Sequence, residues 1–122
     1  MIDISQLIEK VKSLNKRERI ILDYFARHIS AGEIIAVLDL KEEIKKRVKM
    51  GEVDLVIELD DSVITRDIYI DLALLVKQGL LEYRNGVYKL PQPLIDIIKQ
   101  KKKRATPGVL KSLNELLKIL ES

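Results

Sequence analysis

The first thirty residues repeat apolar positions at helical spacing. Ile4, Leu7, Ile8, Val11 and Leu14 share one face, and Asp3 with Gln6 has the spacing of a capping box, which predicts a helix over 4–14. Asn15 with Glu18 repeats the cap at once. A second helix follows to about Ser30, burying Ile21, Leu22, Phe25 and Ile29, with Gly32 as its stop. Ile34 to Leu38 is a short continuous apolar run and reads as a strand. Asp39 with Glu42 then caps a third helix near 40–50, with Leu40, Ile44 and Val48 inward and Gly51 ending it. Val53, Leu55, Ile57 and Leu59 alternate with Asp54, Val56 and Glu58, a strand-like period before a turn at Asp60–Ser62. Thr65 caps a fourth helix to Gln78, anchored by Ile68, Leu72 and Leu75, and Gly79 stops it.

LLEYRNGVYKL, residues 80–90, predicts a hairpin. Asn85-Gly86 suits a two-residue turn with positive φ at both positions. That turn sets Arg84 opposite Val87, Tyr83 opposite Tyr88, Glu82 opposite Lys89 and Leu81 opposite Leu90. Alternation then puts Leu81, Tyr83, Tyr88 and Leu90 on one face. Two strands do not stand alone, so a core must cover that face. Pro91 and Pro93 break the chain, Leu94 to about Arg104 reads as a helix, and Thr106-Pro107 opens a last helix to about Glu121.

The stretch IDLALLVKQGLLEYRNGVYKL, from Ile70 to Leu90, places Leu72 and Leu75 three apart before Gly79-Leu80-Leu81 and the hairpin. With the helices before it, this resembles the winged helix-turn-helix superfamily of small prokaryotic and archaeal DNA-binding or regulatory proteins, over roughly residues 15–90. The fold expected is mainly α, of the α+β class. It has a winged-helix domain over 15–90, an added N-terminal helix over 1–14, and a helical extension over 91–122 as a dimerisation element. The resemblance implies that 65–78 is a recognition helix whose outer face enters a major groove.

The outer face of that helix departs from the pattern. A helical wheel puts Arg66, Ile70, Ala73 and Lys77 outward, Leu74 beside them, and Asp67 and Asp71 on one flank. Apolar and acidic groups suit a protein surface better than a phosphate backbone, whose affinity comes from Lys and Arg. Cationic residues lie elsewhere as well. Lys99, Lys101, Lys102, Lys103 and Arg104 form one cluster, and Lys45, Lys46 and Lys49 belong to another on the third helix. With Arg66, Lys77 and Arg84 of the hairpin tip, these are the candidate DNA contacts, although charge runs are commonly solvated faces.

The net charge is a mild +3, split as +3 over residues 1–50, −5 over 51–79 and +5 over 80–122. There is no Cys, which excludes disulfides and thiol chemistry and fits an intracellular, cytoplasmic protein, nucleoid-associated if it binds DNA. No apolar run is long enough to span a membrane. Abundant Lys, Glu, Ile and Leu give a thermophile-like composition. His28 is the only histidine and sits near a helix end. Asp60, Asp61, Asp67 and Asp71 could be imagined around magnesium, but acidic surfaces are more often solvated. No catalytic constellation or cofactor motif is present, so no enzyme, cofactor or metal is expected. Leu110, Leu113, Leu117 and Leu120 keep a three-four spacing that predicts either packing on the chain's own first helix or a homodimer contact, the latter preferred. Two functions follow. The first is a dimeric transcription regulator on double-stranded DNA. The alternative is an adaptor in a replication, transcription or chromosome complex, meeting a protein partner through Asp67, Ile70, Asp71 and Leu74.

Overall fold

The computed structural model describes residues 3–51, 61–101, 110 and 112–121. Within them lie six helices and a small antiparallel sheet, an α+β fold: α1 (Ile4–Lys12), α2 (Lys16–His28), β1 (Ser30–Gly32), α3 (Glu33–Lys49), α4 (Asp61–Lys77), β2 (Glu82–Arg84), β3 (Val87–Lys89), α5 (Gln92–Lys101) and α6 (Leu113–Glu121). The order is compatible with a winged helix. The strand expected over 53–59, the Thr106-Pro107 cap and Lys102, Lys103 and Arg104 lie outside the described residues.

Local chemistry fixes most boundaries. Asp3 accepts a hydrogen bond from Ser5 N at 2.9 Å and starts α1. Arg19 donates to the carbonyls of Lys12 (2.7 Å) and Leu14 (3.1 Å), satisfying acceptors at the end of that helix. Asn15 and Glu18 form the reciprocal box that opens α2. Ile29 closes α2 at φ 60°, a conformation costing a β-branched residue about 1–3 kcal/mol. It is held there from both sides, because its N–H donates to Phe25 O (2.8 Å) and its carbonyl accepts from Leu90 N (2.9 Å).

The strand expected over 34–38 is corrected. It falls inside α3, and the first strand is Ser30–Gly32 instead. A five-residue apolar run does not distinguish the two states. In the helix, Ala36 and Val37 join Leu40 and Ile44 in the core, while Ile34, Ile35 and Leu38 point outward. Asp39 is therefore no cap; it accepts from the Tyr24 hydroxyl at 2.8 Å. Nor does Thr65 start α4, which already includes Asp61 and turns Ile64 inward one turn before Ile68. α5 begins at Gln92 and takes Pro93 into its first turn, where no N–H is needed.

The hairpin has the expected register, Glu82 to Lys89, Tyr83 to Tyr88 and Arg84 to Val87, with φ 54° at Asn85 and 76° at Gly86. β1 adds to β3, giving the order β1-β3-β2. Leu81, Tyr88 and Leu90 are buried as expected, but Tyr83 is 46% exposed, its ring 4.5 Å from that of Tyr88. Gly79, at φ 78°, lets Leu80 N reach Leu75 O (2.9 Å) while its own N–H reaches Val76 O (3.0 Å). This double bond ends α4 and drops Leu80 into the core.

Of the two packings expected for the leucine seam, the structure shows the one within the chain. Leu110, Leu113 and Leu120 are buried within the chain, Leu117 is half-buried, and α6 packs on α1, α2 and α5. Full burial of a leucine stabilises by about 1.5–3 kcal/mol, so these side chains are already engaged. Asp23 of α2 accepts from Leu113 N at 2.7 Å and Ser112 Oγ accepts from Glu115 N at 3.2 Å, capping α6 from two sides.

α4 is held to α2 by charge. The Arg17 guanidinium grips Asp71 through Nε to Oδ2 and Nη2 to Oδ1, the second at 3.1 Å, and reaches Asp67 at 3.5 Å. Asp71 is 1% exposed. Asp71→Ala should lower stability by about 3 kcal/mol, the low end for breaking a buried pair because Arg17 can turn toward water. Urea unfolding measures it, and a loss below about 1 kcal/mol would show that the pair does not hold α4.

Candidate protein-interaction face

With Asp71 turned inward, the rotation of α4 is set. Beyond Asp61 and Ser62 of its first turn, its exposed positions run Arg66, Tyr69, Ile70, Ala73, Leu74 and Lys77, spaced three and four apart as one stripe. Ile70 is 48% and Leu74 43% exposed. Two half-exposed apolar side chains one turn apart make this stripe the candidate contact face.

The stripe continues onto α3 through Glu33. The Glu33 N–H donates to Gly86 O at 2.8 Å, tying the start of α3 to the hairpin tip. Its carboxylate accepts from the Tyr83 hydroxyl at 2.8 Å. Tyr69 sits close enough to Glu33 for its phenol to be pushed up in pKa, by burial first and then by the Glu33 charge and a hydrogen bond to it. Glu33 thus brings the start of α3, the middle of α4 and the hairpin to one place. Next to it in sequence are Ile34, 75% exposed, and Ile35, with Leu38 one turn on. Sequence reasoning missed these three because it read 34–38 as a strand. The signal available was the helical spacing of Ala36, Val37, Leu40 and Ile44.

Asp67 and Asp71 do not stand on this face as expected. Both are turned to Arg17, whose own pKa is raised by the hydrogen bond to Asp71 against the opposing effect of burial. Asp61 pairs with Lys45. The carboxylates once imagined around a metal are therefore neutralised by cations, Asp60 lying outside the described residues. The outward stripe is apolar and cationic rather than apolar and acidic.

The other candidates are dispersed. Arg66, Lys77 and Arg84 are exposed; Arg66 lies 3.5 Å from Asp67, and neither Lys77 nor Arg84 has a carboxylate within ion-pair reach among the described residues. Lys45, Lys46 and Lys49 line an open cleft of about 700 Å³ between α2 and α3. That cleft also carries Asp39, Glu42 and Glu43, and its charge is mixed. Lys99 and Lys101 are exposed at the end of α5, where the Lys101 ammonium donates to Leu120 O at 3.3 Å.

Among known proteins, residues 15–96, about two thirds of the chain, match the model of the family described as PolB1 Binding Protein 2. The match takes in α2 to the first half of α5 and so includes the whole face; α1 and α6 lie outside it. No curated protein and no solved structure gives a significant match.

All four tyrosines are raised above their ordinary value of 10: Tyr24 by burial and then its bond to Asp39, Tyr83 by its bond to Glu33, and Tyr88 to about 12, mainly by burial. A raised phenol stabilises the folded state fully below pH 10. For Tyr88 that contribution is lost as pH climbs from 10 through about 12. Near-ultraviolet titration should therefore show phenolate only above pH 10. Glu33→Gln should bring Tyr83 and Tyr69 down while leaving Tyr24 unmoved. Four ordinary titrations in the parent protein would contradict this packing.

Proposed function

The chain belongs to the PolB1 Binding Protein 2 family, and from that premise we propose that it is a non-enzymatic adaptor that binds the polymerase PolB1 through the face built by α3, α4 and the hairpin. The observation that carries the reading is the pair Ile70 and Leu74, half-exposed at the centre of an outward helix stripe. On a groove-reading helix, polar side chains able to reach base edges would stand there. Water gains nothing from these side chains, whereas a partner that covers them gains roughly 25 cal/mol for each Å² buried. Tyr69 and Tyr83 border the same surface, and tyrosine, with arginine, is enriched at the energetic centres of interfaces. The leucine seam of α6 is spent within the chain, so it supports association with a different protein better than a seam-driven homodimer.

A transcription regulator bound to duplex DNA is the second reading. It is favoured by Arg66, Lys77 and Arg84, exposed on the helix and hairpin that would meet a groove in a winged helix. Contacts of that kind would give affinity that falls steeply with salt.

Titration calorimetry against purified PolB1 separates the two. Ile70→Asp and Leu74→Asp should each weaken polymerase binding by about tenfold or more, with circular dichroism unchanged because both positions are half-exposed. Lys118→Glu serves as control, since α6 makes its contacts with α1, α2 and α5. A parent protein that ignores PolB1 but binds duplex DNA would overturn the adaptor reading.

A further inference from the structure

We infer that the partner element seated on α4 is an acidic amphipathic helix of about three turns. Its apolar side would meet Tyr69, Ile70 and Leu74, and carboxylates near its two ends would meet Arg66 and Lys77. This rests on the adaptor reading and adds the chemistry of what the face receives.

The sign of the charge comes from where the carboxylates go. α4 itself carries Asp61, Asp67 and Asp71 against Arg66 and Lys77, so a mildly acidic helix would be expected from sequence. Folding reverses it locally. Asp71 is buried against Arg17, and Asp67 shares the same guanidinium. Asp61 is taken by Lys45. Glu33, on α3 at the edge of the face, keeps its charge while accepting from the Tyr83 hydroxyl. What projects from the stripe is Arg66 at one end and Lys77 at the other. Lys77 has no carboxylate within ion-pair reach among the described residues, and the one beside Arg66 is already engaged by Arg17. A neutral or basic partner would strip water from these cations or repel them, while an acidic rim complements them.

The shape comes from the spacing. Arg66 and Lys77 are eleven residues apart, about 16 Å along a helix rising 1.5 Å per residue. Between them the side chains form a ridge at three-four spacing, which packs into the groove between ridges of another helix. A segment that follows it needs apolar residues at matching i, i+3, i+4 and i+7 positions, with Asp or Glu flanking them.

The test compares the full-length Arg66→Glu/Lys77→Glu double variant with Ile70→Asp and with the parent, titrating each into purified PolB1 at low and moderate salt. The expected result is a loss of about tenfold or more at low salt for the double reversal, with a flatter salt dependence than the parent. The neutral pair Arg66→Gln/Lys77→Gln should fall between them, and it decides by its salt slope if the reversal disturbs folding. Parent-like or tighter binding by the double reversal, while Ile70→Asp loses it, overturns the acidic helix and leaves the adaptor reading standing. Parent-like binding by both variants removes α4 as the site and overturns the inference, while polymerase binding itself stands. A double reversal that keeps the polymerase but loses duplex DNA assigns the two cations to nucleic acid and overturns the inference.

Discussion

The contact on which the outward face of α4 depends is the one between Arg17 and Asp71. A carboxylate at 1% exposure must be paired or it would not remain ionised there, and the planar guanidinium of α2 meets it through two nitrogens. Asp71 shares the inward side with Ile68, Leu72 and Leu75, and at 3.6 residues per turn Ile70 and Leu74 fall together on the opposite flank, outward. The same arginine draws Asp67 aside. One interaction therefore sets the rotation of α4 and removes the negative charge from its exposed stripe. Such a pair adds little net stability compared with an apolar replacement, so its value here lies in selecting one orientation of the helix.

A second tier of polar contacts locates the neighbours of that helix. The Glu33 backbone holds the hairpin tip and its side chain holds Tyr83. Asp39 receives the Tyr24 hydroxyl. On the opposite side of α2, Asp23 caps α6 and is met by Arg27 at 3.0 Å and Arg47 at 3.9 Å. Among the described residues no buried side-chain nitrogen or oxygen lacks a partner. α2 thus acts as the common strut, with Arg17 organising its start and Asp23 its middle.

Elements whose signal is local were legible in the chain. The Asn15–Glu18 box, the Asn85-Gly86 turn with its register, and the Gly79 stop all follow from backbone requirements of a few adjacent residues. What failed needed a longer window or the third dimension. Ile34 to Leu38 taken alone is an apolar run in either state, and only its helical spacing with Leu40 and Ile44 turns Ala36 and Val37 in and leaves Ile34 and Leu38 out. The leucines of α6 show the periodicity of an interface, yet periodicity does not say whether the covering surface is this chain or another. For the face itself, Ile70 and Leu74 were readable from a helical wheel, but the destination of Asp67 and Asp71 was not. Arg17 is fifty residues or more away in sequence, and nothing local announces that it is the partner.

The docking of α6 has a bearing on how the protein is made. Leu7 and Val11 of α1 leave the ribosome about a hundred residues ahead of α6, which packs on α1. At about 5–20 residues per second that is an interval of some 5–20 s during which the apolar side of α1 lacks its cover. The helices and strands that form the outward face, α3 to β3, all emerge within that interval. The nascent chain therefore exposes two apolar surfaces at once, one until α6 arrives and one that stays outward in the finished fold. The rate at which α6 is delivered, more than the final stability, governs how long they coexist.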